Sequence, residues 1–184
     1  MSATKWQLDP AHTHVEFSVK HMMFTTVRGQ FSRFDGVVEL DQDDPSNSSV
    51  QVSIETASID TGVEDRDAHL RSEDFFDAES YPEITFTSTR VEGPLSENET
   101  FEIVGDLTIH GITRPVTLEA EFGGSGTDPW GGTRAGFQAK TVIDRRDFDL
   151  TWNQALETGG VLVGNDIKIS LQVQAVLQEE AVAV

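Results

Sequence analysis

This chain has no cysteine, which excludes a disulfide framework, a thiolate nucleophile and any cysteine-based zinc site. Cations are scarce: 13 Lys and Arg stand against 32 Asp and Glu, for a net charge of −19. A field of that sign repels phosphate backbones, so nucleic acid is not an expected partner, and it opposes anionic lipid surfaces as well. The acidic surplus is spread along the chain, as on a solvated surface, and is not gathered into one tail. No run approaches the roughly 18 apolar residues that cross a bilayer, so no stable membrane insertion is expected. The opening "MSATKWQLDPAHTHVEF" has neither an apolar h-region nor a small-residue cleavage site, and the expectation that follows is a cytoplasmic protein. Tyrosine is almost missing, one against 11 phenylalanines, so most aromatic surface comes without a polar handle.

What is present is alternation. Val15, Phe17 and Val19 share one face of "HVEFSVKH", with Glu16, Ser18 and Lys20 on the other. The same period of two runs through Val50-Val52-Ile54, Ile84-Phe86, Phe101-Ile103-Gly105-Leu107-Ile109 and Val116-Leu118-Ala120-Phe122. It is longest in the final row from Ile167 to Leu177. Strands of this kind are half-buried and antiparallel. Turn residues separate them at "DQDDPSNSS", "EGPLSENE", "HGITRP" and "GGSGTDPWGG". Between Phe31 and Phe34 the phase slips by one, which predicts a bulge or bend. About eight or nine strands result, a number at which antiparallel sheets close into barrels. With no linker or repeat, residues 1–184 form one domain, long enough to bury about 70% of its unfolded surface.

"DRDAHLRSEDFFDAESYPEITF", from Asp65, breaks the alternation. It predicts a short helical lid over about residues 62–78, capped by Asp60 or Thr61. Leu70 is the inward anchor, at least one of the adjacent Phe75 and Phe76 rings faces the protein, and Pro82 stops the helix. Such an excursion is suited to covering a barrel end.

The interior is less determined. Small residues in the inward rows (Gly29, Gly105, Ala135, Ala139) leave either a vacancy or seats for large rings. The chemistry-bearing groups are equally two-sided. His12 and His14 have a spacing that metal sites use, but no third ligand is fixed, so no metal or other cofactor is expected. Asp67 and His69 are two apart and cannot face each other on a helix. "IDRRDF" offers Arg145 and Arg146 either as a structural lock or as a cationic mouth for an anionic headgroup.

Several segments taken together resemble the YceI-like family: "HTHVEFSVKHMMFTTVRGQF", "RDAHLRSEDFFDAESYPEITF", "GDLTIHGITRPVTLEAEF" and "LVGNDIKISLQVQA". The resemblance runs from about Trp6 to Ala175. It implies a lipocalin-like antiparallel barrel with an elongated apolar channel for polyisoprenoid chains, isoprenoid quinone-like molecules or other long amphiphilic lipids. It implies binding without catalysis, and a homodimer is a reasonable expectation from it. Asp149 departs from the glycine expected there, which puts the local turn in question. Phase then places Phe17, Val19, Phe31, Phe86, Ile109 and Phe137 along the channel and Phe75 and Phe76 under the lid. Trp130 and Trp152 border an opening, with Arg66, His69, Arg145 and Arg146 as a candidate polar mouth. Two alternatives stay open: an enzyme working through Asp67, His69 or His110, and a filled barrel that binds a protein partner.

Overall fold

The computed structural model describes residues 3–157 and 159–178. Its strands are β1 (Thr4–Leu8), β2 (His14–His21), β3 (Thr25–Phe31), β4 (Phe34–Leu40), β5 (Ser49–Glu55) and β6 (Ile59–Asp60). After the helix α1 (Glu64–Arg71) come β7 (Glu83–Glu92), β8 (Thr100–Ile109), β9 (Ile112–Thr127), β10 (Thr133–Asp144) and β11 (Asp166–Leu177). Every pairing is antiparallel.

The sheet closes because β1 and β2 are two halves of one stave. Along a single edge, β11 pairs first with β2 (Lys168↔Ser18) and then with β1 (Ala175↔Leu8). The interruption falls at Asp9–Thr13, where Pro10 and an Asp9 side-chain turn to Ala11 break the ladder. Likewise β3 and β4 are one stave broken at Ser32-Arg33, where the slipped phase predicted a bend. β5 and β6 make a third, and β7 to β11 complete a closed ring of eight. Pro115 is tolerated within β9 because β10 pairs with that strand only from Glu119 onward, leaving the proline flank without a partner.

β6 pairs with β3 and reaches no further. The wall between it and β7 is completed at that end by α1 and residues 72–82. The helix is shorter than the predicted 62–78, with turns from Ser72 onward. Neither Asp60 nor Thr61 caps it; Val63 holds the cap position without a side-chain bond. Instead the buried Asp67 carboxylate accepts from the Thr61 N–H at 2.8 Å and from its hydroxyl at 2.5 Å. Arg66 donates Nε to the Thr61 hydroxyl at 2.7 Å and an Nη to its carbonyl at 2.8 Å. Thr61 is thus the hinge to which the lid is pinned.

At the opposite end Trp6 and Phe122 are buried beside Ala135 and Ala175, and Leu8, Leu95, Phe101 and Ala120 turn inward onto the interior space. The two in-phase glycines do not supply room, contrary to one of the two readings of the sequence. A Cβ on Gly29 would lie 2.4 Å from the Phe17 ring, and one on Gly105 would lie 2.5 Å from the Phe86 ring. These glycines are seats for phenylalanines.

Candidate functional site

Beneath the lid lies a cavity of about 240 Å³ that reaches Leu8, Leu40, Leu95 and Phe101 toward the other end of the barrel. Its walls are the inward rows of the staves, and its roof is Leu70, Phe75 and Phe76. Phe17, Val19, Phe31, Phe86, Ile109 and Phe137 all line it, as phase indicates. Sequence reasoning did not single out Val163 and Leu150, which reach the wall from the irregular segment after β10 and carry no periodic signal. Aromatic edges build the roof: Phe31 meets Phe76 at 6.1 Å and Phe17 at 5.7 Å.

The two tryptophans do not frame one mouth. Trp130 is 86% exposed in the turn between β9 and β10, at the end away from the lid, and lines no part of the cavity. Trp152 sits behind the lid, 4.7 Å from the His69 ring and 5.3 Å from Phe75.

The polar residues separate in the same way. Arg145 is buried and lies on the cavity wall, but its guanidinium donates to four backbone carbonyls. These belong to Leu150 (2.6 Å), Gly164 (2.8 Å), Trp152 (2.9 Å) and Val163 (3.3 Å). It is a lock, though the partners are carbonyls and not carboxylates. Burial pushes its pKa down from the ordinary arginine value. Arg146 turns outward to Asp144 at 2.6 Å, and that hydrogen bond holds the Asp144 carboxyl below its usual range. Arg66 is committed to Thr61. Asp149 ends the short 3₁₀ turn Arg145–Phe148 in the left-handed conformation (φ 57°), so this chain keeps a glycine-type geometry without the glycine.

Asp67, His69 and His110 do not converge. Asp67 is bound to Thr61, and His69 Nε2 lies 2.9 Å from Asp74. His110 contacts the Phe148 carbonyl at 3.3 Å beneath Tyr81. His12 leaves the strand and pairs with Asp9 at 2.9 Å. Asp9 also accepts from Arg134 at 2.6 Å, and the His12 and Arg134 bonds lower its pKa to about 2. Among the described residues no group of three or more metal-ligating side chains gathers.

A closed antiparallel barrel, hollow and apolar beneath a helical lid, defines a lipocalin-like β-barrel protein. The sequence model of the YceI-like domain matches residues 6–175, and the chain belongs to the YceI-like family. A UPF0312 protein of Vibrio parahaemolyticus is 44% identical over 140 residues, 76% of this chain and 73% of the relative. Protein YceI of Escherichia coli is 45% identical over 139 residues, 76% of this chain and 71% of the relative. Among solved structures, BcnA of Burkholderia cenocepacia superposes with a TM-score of 0.78 at 26% identity, covering 91% of this chain and 98% of its own. The YceI protein of Campylobacter jejuni gives 0.73 at 32% identity, covering 87% and 90%. A polyisoprenoid binding domain from Saccharophagus degradans gives 0.67 at 14% identity over 94% and 98%, a likeness of fold alone.

Proposed function

We propose that this protein binds and carries a long-chain isoprenoid, polyprenyl or isoprenoid quinone-like, or a similar amphiphilic lipid, without transforming it. The observation that carries this reading is the apolar cavity under the lid. An engineered apolar cavity of ~150 Å³ takes a benzene ring. Scaled to 240 Å³, this one has room for roughly ten carbons. At about 0.8 kcal/mol per methylene, ten carbons contribute about 8 kcal/mol, much of it offset by association and ordering costs. Phe17, Phe31, Phe75, Phe76, Phe86 and Phe137 supply the contact surface for the chain.

The head of such a ligand is neutral on this reading, a quinone or an alcohol. Arg145 is the one cation among the described lining residues, and its donors are engaged by four carbonyls. The separate engagement of Asp67, His69 and His110 supports binding over catalysis.

Native mass spectrometry of the purified protein, beside an organic extract of the same sample, tests the proposal. The expected result is a lipid adduct near one per chain, or saturable uptake of a fluorescent isoprenoid analogue by the extracted protein. An adduct-free protein that takes up no analogue would refute it.

A further inference from the structure

The turn joining β2 to β3 is made of Met22, Met23 and Phe24, which are 40%, 60% and 75% exposed. Met22 and Met23 both adopt left-handed backbone (φ 54° and 70°), in positions that asparagine and glycine fit without strain. Three large apolar side chains are therefore held in solvent by a turn whose backbone disfavours two of them, Met22 and Met23. Neither folding nor solubility explains that choice.

Below the tip the outer wall reverses the charge of the molecule. Register places Arg28, Ser18, Lys168 and the 57% exposed Val142 in one row across β3, β2, β11 and β10. Lys20 stands two residues nearer the tip. Lys20, Arg28 and Lys168 make no ion pair among the described residues, in a chain with 32 acids to choose from. Glu16 and Asp166 border the row, two residues from Ser18 and Lys168 respectively. The outer surface of the lid, with exposed Glu64, Asp65, Glu73 and Asp74, is acidic by contrast.

The tip is also continuous with the cavity. Met22 N–H donates to Leu162, and Met23 lies against Gly160. Val163 of the same segment lines the cavity, and Trp152 packs on the lid.

We infer that this corner of the barrel docks on a phospholipid bilayer containing anionic lipid. Met22, Met23 and Phe24 enter the headgroup layer, and Lys20, Arg28 and Lys168 face the lipid phosphates. Apolar side chains flanked by basic ones are what interfacial attachment uses. The acidic lid is kept away from the surface, so the barrel leans on its β3–β2–β11 side. The purpose of docking rests on the carrier reading above: the bilayer is where a lipid tail enters or leaves the cavity.

The test is flotation with vesicles of mixed phosphatidylcholine and phosphatidylglycerol, paired with analogue uptake from vesicles and from free solution. The variant Met22→Asn/Met23→Gly/Phe24→Ser removes the apolar tip and relaxes the turn, so it is expected to fold at least as well. It should lose about tenfold or more of the vesicle-bound fraction and of the transfer rate, with uptake from solution unchanged. Lys20→Gln/Arg28→Gln/Lys168→Gln should abolish the advantage of anionic over pure phosphatidylcholine vesicles. The inference is overturned if the wild type does not float, or if both variants float as it does. It is also overturned if the tip variant only converts a dimer to a monomer by light scattering, which would assign the patch to a second copy of the chain. Flotation lost on tip substitution in a protein that never takes up analogue would leave docking standing and end the carrier reading.

Discussion

Replacing Ala139 by leucine separates a hollow barrel from a filled one. Ala139 lies on the cavity wall in β10, between Ala120 and Leu171 of the neighbouring strands. Leucine adds three carbons to a space that holds roughly ten. A ligand tail then loses about three methylenes of burial, about 2.4 kcal/mol, so its Kd should rise about 50-fold. Stability should move the other way. The new side chain enters vacant apolar space, and after its lost rotamer freedom the protein gains about 1 kcal/mol or breaks even. Titration with a fluorescent isoprenoid analogue measures the first effect and urea denaturation the second. In a packed interior the same substitution would cost about 1–3 kcal/mol. An unchanged Kd, or destabilisation of that size, would refute the argument from the cavity.

Other substitutions probe the frame around it. Arg145→Met leaves four carbonyls without their donor and should cost about 3 kcal/mol in urea denaturation, with faster proteolysis within residues 150–165; Arg145→Lys should not restore it, because an ammonium lacks the fork that reaches all four. Gly105→Ala should cost about 2 kcal/mol, since its Cβ would lie 2.7 Å from the Thr87 carbonyl oxygen as well as against Phe86. Gly29→Ala should cost about 1–3 kcal/mol and also weaken analogue binding, because its Cβ would lie 2.4 Å from the Phe17 ring, which can swing into the cavity, and 2.9 Å from Cγ2 of Thr61, which the lid's hydrogen bonds hold in place. Asp9, with its pKa drawn from the usual 3.8 to about 2, contributes stability that is complete above pH 4 and disappears as the pH falls through 2. Thermal melts across that window should fall more steeply for the wild type than for Asp9→Asn.

The barrel was legible because alternation is a direct imprint of half-buried strands. Phase alone turned Phe17, Phe31, Phe86, Ile109 and Phe137 inward, and all five line the cavity. Phase assigns a residue to a face, and it does not say what stands opposite. That is why Gly29 and Gly105 read equally well as vacancy and as seats, until the rings of Phe17 and Phe86 were found against them. The lid was visible as broken alternation, with Arg66 and Asp67 as residues that pin it, but the partner they share was not. Asp67 folds back on Thr61 across a turn, a contact that no period of two or 3.6 encodes. Trp130 was misplaced for a related reason: an aromatic among glycines looks the same at either end of a barrel, and only topology put it away from the lid. In the segment after β10 only the lock at Arg145 was legible, because the path of the chain is set by one guanidinium collecting four carbonyls distributed over 15 residues, Leu150 to Gly164, and by Asn153 bonded to Val163.

The size of the cavity bears on how a long ligand could be held. Room for roughly ten carbons is about two isoprene units, and a polyprenyl chain is longer than that. Toward the far end the cavity is lined by Leu8 on β1 and Phe101 on β8, both under 9% exposed and on strands held in register by β11 and β9, so extra length meets rigid wall in that direction. The lid end is built differently. Its helix lacks a side-chain cap, its hold on the wall depends on Thr61, and its apolar contacts are aromatic edges that can slide. A longer chain would therefore enlarge the cavity at Phe75 and Phe76 and leave beside Trp152, lifting α1 while the staves stay in register. Hydrogen exchange gives this a direct reading. Loading a long-chain analogue should lower protection in residues 64–78 and leave β8 to β10 unchanged, whereas a ten-carbon analogue should raise protection in both.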